Sequence, residues 1–338
     1  MDWTQRTSLL IGDQALEKLQ SSCVLIVGLG GVGAYAAEFL ARAGVGRLIL
    51  VDGDKVQATN RNRQLPALCS TEGRFKVVVV AERLRDINPA IGLDCFPFFL
   101  EEEEVGDLLF GRNRYDSRRA QQGIGKIFAG DDRKESLTPE LSGQSTMVCD
   151  FVVDAIDSLG PKAALIRSCL EHAVPLVSSM GAAAKLDPSQ ISTCDISKTH
   201  HCALARALRH RLAAFGIRRG FPVVFSSEQV ASKTWPRGKN HSRASAFSSE
   251  QAASKTRPSE AKSSEAKSSE AKTSEVKLSE ARPFETKFSE VKSSEAEASV
   301  KVVPGTISYL PAAFACHLAA YTIKYLISEN SSTNNQPD

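Results

Sequence analysis

Short apolar runs separated by segments of helical period recur along this 338-residue chain. Residues 24–27 and 48–51 are unbroken apolar runs, which suits strands buried on both faces of a parallel sheet. Residues 93–99, 175–179, 191–196 and 221–226 read as further strands. The run F-V-V-D-A-I-D-S at 151–158 reads as an apolar strand ending in carboxylates. Helices are predicted over 12–19, 34–43, 76–87, 162–173 and 202–215, with a short one from the acidic run 101–104 to Phe110. Asn88-Pro89 ends the third of these helices, because a residue before proline avoids the helical region. After Pro311 the pattern is apolar nearly all round, as expected of a helix buried in a core. Strands alternating with helices predict an α/β class: a Rossmann-like, doubly wound, mostly parallel sheet with helices on both faces.

Two stretches interrupt the pattern. Residues 111–147 are rich in Gly, Ser and charge without periodicity, and are expected to form a mobile insertion. From residue 229 to 299 the chain becomes low in complexity. The segment F-S-S-E-Q-V-A-S-K-T at 225–234 recurs with one change at 247–256, and repeats such as S-E-A-K-S follow. Without an apolar stripe this expansion cannot bury a core, so disorder is expected there, and in the tail 331–338. The remaining parts, 1–228 and 300–330, make one domain. Looping out both insertions is tolerable, since closure entropy grows only with the logarithm of length.

Composition narrows the class. With 42% apolar and 24% charged residues the chain has the make-up of a soluble globular protein. A net charge of +3 argues neither for nor against nucleic acid. The first residues, M-D-W-T-Q-R-T, lack a hydrophobic signal core, and no run reaches the ~18–20 apolar residues of a membrane span. A cytoplasmic location is therefore expected. Eight scattered cysteines without a C-x-x-C pair read as reduced thiols, against a zinc ribbon.

The chemistry concentrates in residues 23–64. Gly28, Gly30, Gly31 and Gly33 lie between the first strand and an alanine-rich helix, and Asp52 ends the next strand. That is a dinucleotide-binding pattern: the glycines admit a phosphate close to backbone N–H groups, and the helix N-terminus adds partial positive charge. Alone it suits NAD, FAD, S-adenosylmethionine and ATP alike. The run Asn60-Arg61-Asn62-Arg63-Gln64, with Lys76 beyond it, places cations that neutralise a triphosphate and the charge that grows on departing pyrophosphate. Asp157 is a candidate to hold Mg²⁺ or orient the nucleotide. No His or Tyr arrangement for hydride transfer stands out. These features favour ATP, against a Rossmann domain with incidental surface cations.

The motifs G-L-G-G-V-G, V-D-G-D, N-R-N-R-Q, G-R-F-K and V-V-D-A-I-D-S together resemble the adenylating domain of the ubiquitin-activating-enzyme superfamily. The resemblance implies ATP and Mg²⁺ used to adenylate a carboxylate. Gly28, Gly30, Gly31, Gly33, Asp52, Asp54, Asn60, Arg63, Lys76 and Asp157 would then form the nucleotide site. It implies a homodimer in which an N-terminal arginine, here Arg6, reaches the partner's site. R-T-S-L-L-I-G, A-E-R-L-R-D-I-N-P, K-L-D-P-S-Q-I and G-T-I-S-Y-L-P further resemble the branch that dehydrates threonylcarbamoyladenosine in tRNA. That branch implies a tRNA substrate, with Lys185, Lys198, Arg206 and Arg209 as candidate backbone contacts and no role for DNA. A cysteine-desulfurase or sulfur-acceptor system remains a candidate partner. Two other readings stay open: adenylation of a ubiquitin-like sulfur-carrier protein, and a non-catalytic binding module whose working part is the repeat.

Overall fold

The computed structural model describes residues 3–110, 149–229 and 305–328. The insertion 111–147, the expansion beyond residue 229 and the tail 331–338 lie outside the described residues. Helices α1 (Gln5–Ile11) and α2 (Asp13–Ser21) precede β1 (Cys23–Val27), α3 (Gly33–Ala43) and β2 (Arg47–Val51). Next come α4 (Lys76–Ile87), β3 (Gly92–Phe96), α5 (Val105–Phe110) and β4 (Phe151–Asp154). The chain continues through α6 (Leu159–Glu171), β5 (Leu176–Ser179), β6 (Ile191–Asp195), α7 (Ala203–Ala213) and β7 (Pro222–Ser226). Helix α8 (Tyr309–Ser328) closes the fold.

The strands form one sheet in the order β3-β2-β1-β4-β5-β7-β6. All neighbours are parallel except β6 and β7, which pair antiparallel. The chain therefore starts mid-sheet at β1, winds outward through β2 and β3, and returns to the other side of β1 with β4. That reversal leaves a crevice at the carboxyl ends of β1 and β4, where open α/β sheets bind ligands.

Strand residues alternate between two cores. Ile26, Leu50 and Val153 join Leu40, Phe314 and Leu318 on one face. Leu25, Ile49 and Val152 join Leu165, Ile166 and Leu208 on the other. Helix α8 has the length and, with a mean hydropathy of 1.3 over its most apolar stretch, the composition to cross a bilayer. Here its Leu310, Phe314, Ala315, Leu318 and Leu326 are buried in the first core.

Several element ends differ from the sequence expectation. The N-terminal region forms two helices, broken at Gly12, whose φ of 86° is open to glycine. Strand β3 stops at Phe96, before Pro97. Strand β4 stops at Asp154, so Asp157 lies in the following turn and not at a strand end. Helix α6 begins at Leu159, which brings Lys162 into its first turn.

The flanks of the expansion meet at one place. Ala184 N–H donates to Gly305 O at 2.8 Å, and the N–H groups of Leu186 and Asp187 donate to the Glu228 carboxylate at 2.8 and 2.9 Å. Both ends of the excursion are thus tied to residues 184–187. A chain with residues 230–304 replaced by a short Gly/Ser linker is expected to melt cooperatively at the same or a higher temperature. Logarithmic closure entropy limits the gain to about 2 kcal/mol. Thermal unfolding followed by circular dichroism checks this, and loss of a cooperative transition would refute it.

Candidate active site

The site grows from the turn joining β1 to α3. Gly28 has φ 91° and its N–H donates to Val51 O at 2.8 Å, which ties the turn to β2. A Cβ on Gly28 would stand 2.6 Å from the Ala155 carbonyl oxygen, and one on Gly33 would stand 1.8 Å from Gly28 O. These two glycines are required by close backbone packing. Gly30 is different: a Cβ there would meet nothing nearer than Gln64 Nε2 at 3.9 Å, which leaves an open cradle. Gly31 borders both Pro311 of α8 and the Arg63 carbonyl.

Asp52, just past β2, spans the cradle. Its carboxylate accepts Leu29 N–H at 2.6 Å and Asp54 N–H at 2.8 Å. Burial pushes the Asp52 carboxyl above its ordinary range, while nearby Lys76 and the two N–H donors pull the other way. Lys76 is the first residue of α4, and its buried Nζ lies 2.7 Å from the half-exposed Asp54 carboxylate. The cation is thus held beside the two aspartates.

The N-R-N-R-Q run forms the facing wall. Buried Asn60 accepts Gln57 N–H through Oδ1 at 3.1 Å, which shapes the loop. Arg63 folds its guanidinium onto Thr59 O at 3.0 Å and Asn62 Oδ1 at 2.9 Å. Asn62 Nδ2 in turn donates to Thr306 O at 3.1 Å, joining the wall to the segment before α8. Gln64 carries the least settled group: its Oε1 is buried with no hydrogen-bond partner among the described residues, while its Nε2 neighbours the Gly30 cradle. A buried carbonyl of this kind is costly unless a ligand donates to it.

The third wall is the turn after β4. Asp154 and Lys162 form a fully buried ion pair at 2.8 Å. Asp154 also accepts Ser178 Oγ–H at 2.6 Å and Ile156 N–H at 3.1 Å, and Lys162 donates to Ile156 O at 3.0 Å. The turn is clamped from both sides. Ala155 presses on Gly28, and Asp157 is left exposed beyond it. Lys162 does not stand among the site groups read from sequence, and Asp154 and Gln64 stand there only as members of longer runs. The available signals are a lone Lys opening an otherwise apolar helix, G-P-K-A-A-L-I, and the last residue of N-R-N-R-Q.

The other candidates lie apart from this constellation. Arg6 is exposed on α1. Lys198 and Arg206 are exposed. Arg209 is half-buried, with Nη1 donating to Thr199 O at 3.0 Å. Lys185 needs correction as a backbone contact for tRNA. It is buried, and its ammonium is spent on the His201 and Glu228 carbonyls. Burial also pushes its pKa down.

Comparison with known proteins places this geometry. The model of the ThiF family matches residues 4–117. The chain is 39% identical over 223 residues to tRNA threonylcarbamoyladenosine dehydratase of Bacillus subtilis, covering 66% of this chain and 74% of the relative. With the protein of that name from Escherichia coli it shares 37% over 239 residues, or 68% of this chain and 75% of the relative. Among solved structures it is similar to the E. coli tRNA N6-threonylcarbamoyladenosine dehydratase in complex with ATP. The TM-score is 0.63 with 25% identity, and the match covers 98% of both chains. The AMP complex of the same enzyme gives 0.62 with 26% identity, over 97% of this chain and 96% of that one.

The buried pair yields a stability prediction. Lys162→Met leaves Asp154 buried without its partner and is expected to cost about 3–5 kcal/mol. Adding Asp154→Asn removes the unpaired charge and is expected to recover most of that loss. Urea denaturation of the wild type, the single and the double variant measures it. A single variant within about 1 kcal/mol of wild type would show that the clamp does not bear on the fold.

Proposed function

Since this chain belongs to the tRNA threonylcarbamoyladenosine dehydratase family, we propose that its glycine turn, Asp52, Asn60, Arg63 and Lys76 hold ATP for attack by the carboxylate of that modified nucleoside. The enzyme is an ATP-dependent dehydratase acting through an acyl-adenylate. The substrate carboxylate takes the α-phosphate and pyrophosphate leaves. The threonylcarbamoyl group's own carbonyl oxygen then attacks the activated carbon, AMP departs, and loss of an N–H proton closes an oxazolone-type ring. The net change is loss of one water.

The open cradle at Gly30, bordered by the donor Gln64 Nε2, carries this assignment. A phosphate can approach backbone N–H groups there as it could not against a side chain. Arg63 and Lys76 would offset charge building on pyrophosphate. Asp52 takes the position that reads ribose hydroxyls in dinucleotide folds.

Asp157 is the residue that would hold Mg²⁺. The metal suits an exposed carboxylate together with substrate phosphates, and no cluster of three ligating side chains exists among the described residues. Bound there, Mg²⁺ would offset triphosphate charge. A homodimer is supported by Leu9 and Leu10 on α1, which stay 81% and 84% exposed, with Arg6 on the same helix available to a partner's site. Eight cysteines free of disulfides suit a reducing cytoplasm.

The test is mass spectrometry of tRNA nucleosides after incubation with ATP: threonylcarbamoyladenosine should lose one water. AMP release only when a carrier protein with a C-terminal Gly-Gly replaces the tRNA would overturn the proposal. Arg63→Ala and Lys76→Ala are each expected to slow adenylation by on the order of 10²–10³-fold. Near-normal single-turnover rates would remove those two assignments.

A further inference from the structure

Beside the clamped turn lies a second concavity. A groove of about 560 Å³ is lined by Leu159 at the start of α6 and by Ala203, Arg206, Ala207, His210 and Arg211 of α7. Its polar lining is basic throughout, and its floor is the small apolar surface of Leu159, Ala203 and Ala207. Arg206 and His210 are exposed, and their side chains make no hydrogen bond or ion pair among the described residues. Arg211 is steadied by Glu102 at 2.5 Å, an exposed pair that leaves part of its guanidinium open. Leu159 is two residues beyond Asp157, so the groove begins where the clamped turn ends.

Cations on the rim above an apolar floor suit a single-stranded nucleic acid: phosphates pair with the rim while a ribose or base lies on the floor. We infer that this groove seats the tRNA strand flanking the modified adenosine, with Arg206 and Arg211 on its phosphates and His210 between them. This inference rests on the proposed function and specifies where its substrate lies. It also separates the basic residues of α7, since Arg209, tied to Thr199, does not line the groove.

The experiment measures equilibrium binding of threonylcarbamoyladenosine-bearing tRNA across a salt series, alongside its cyclisation. The double variant Arg206→Gln/Arg211→Gln keeps good helix formers on α7. The log–log salt slope should become shallower by about 0.7 for each cation removed. Affinity at about 0.1 M salt should fall roughly fivefold per cation, the factor that slope implies. Arg218→Gln/Arg219→Gln, exposed cations outside the groove, is the comparison and should leave the slope unchanged. A groove variant with wild-type slope and affinity would overturn the inference while wild-type cyclisation kept the proposed function. A wild type that binds tRNA through the groove but cyclises nothing would do the reverse. Absence of both binding and cyclisation would refute both.

Discussion

The Asp154–Lys162 pair sets the geometry on which the nucleotide crevice depends. Two charges without solvent exposure are costly, and they persist where every remaining lone pair and proton is also satisfied. Here the carboxylate accepts Ser178 Oγ–H from β5 and Ile156 N–H from the turn, while the ammonium donates to Ile156 O. One pair therefore binds β4, β5, α6 and the turn between them. The gain is position more than stability. Because the turn cannot shift, Ala155 can press against Gly28 where a Cβ would collide, and β1, β4 and the glycine turn form one rigid wall.

Much of this was legible in the chain, for identifiable reasons. Unbroken apolar runs bounded by turns reveal the central strands, since a strand buried on both faces has no polar position to blur it. The start of α4 at Lys76 and its end before Asn88-Pro89 are readable from turn residues and proline. Gly28, Gly30, Gly31 and Gly33 announce the phosphate cradle. What the chain does not show is which glycines serve packing and which leave room, because that depends on the backbone of residue 155. The same limit hides Lys185. A lysine in a short loop reads as a surface cation until tertiary contacts place its Nζ under two carbonyls. Asp157 resembles a strand end for a local reason: F-V-V-D-A-I-D continues to look apolar past Asp154, where the ladder ends.

The long expansion is tolerated because of where it leaves the fold. Its flanks are tied to one turn, residues 184–187, and the chain re-enters with Thr306 beside Asn62 and Pro311 of α8 beside Gly31. The last helix thus belongs to the wall of the crevice as much as to the core. Burial of Phe314 and Leu318 against the sheet holds it there regardless of what precedes it.

This arrangement also suits a site with no thiol at its centre among the described residues. An acyl-adenylate must be captured before water reaches it, and related chemistry can do so with an enzyme cysteine. Here the capturing oxygen is part of the substrate, and a well-oriented internal nucleophile acts at an effective molarity of about 10⁵–10⁸ M. An enzyme thiol would add a step without lowering the barrier. Cys202, the cysteine at the start of α7, serves the fold instead, since its Sγ accepts Ala205 N–H at 3.5 Å and caps the helix. What the protein must supply is then charge and alignment. The residues that meet around the crevice are correspondingly cations, carboxylates and open backbone.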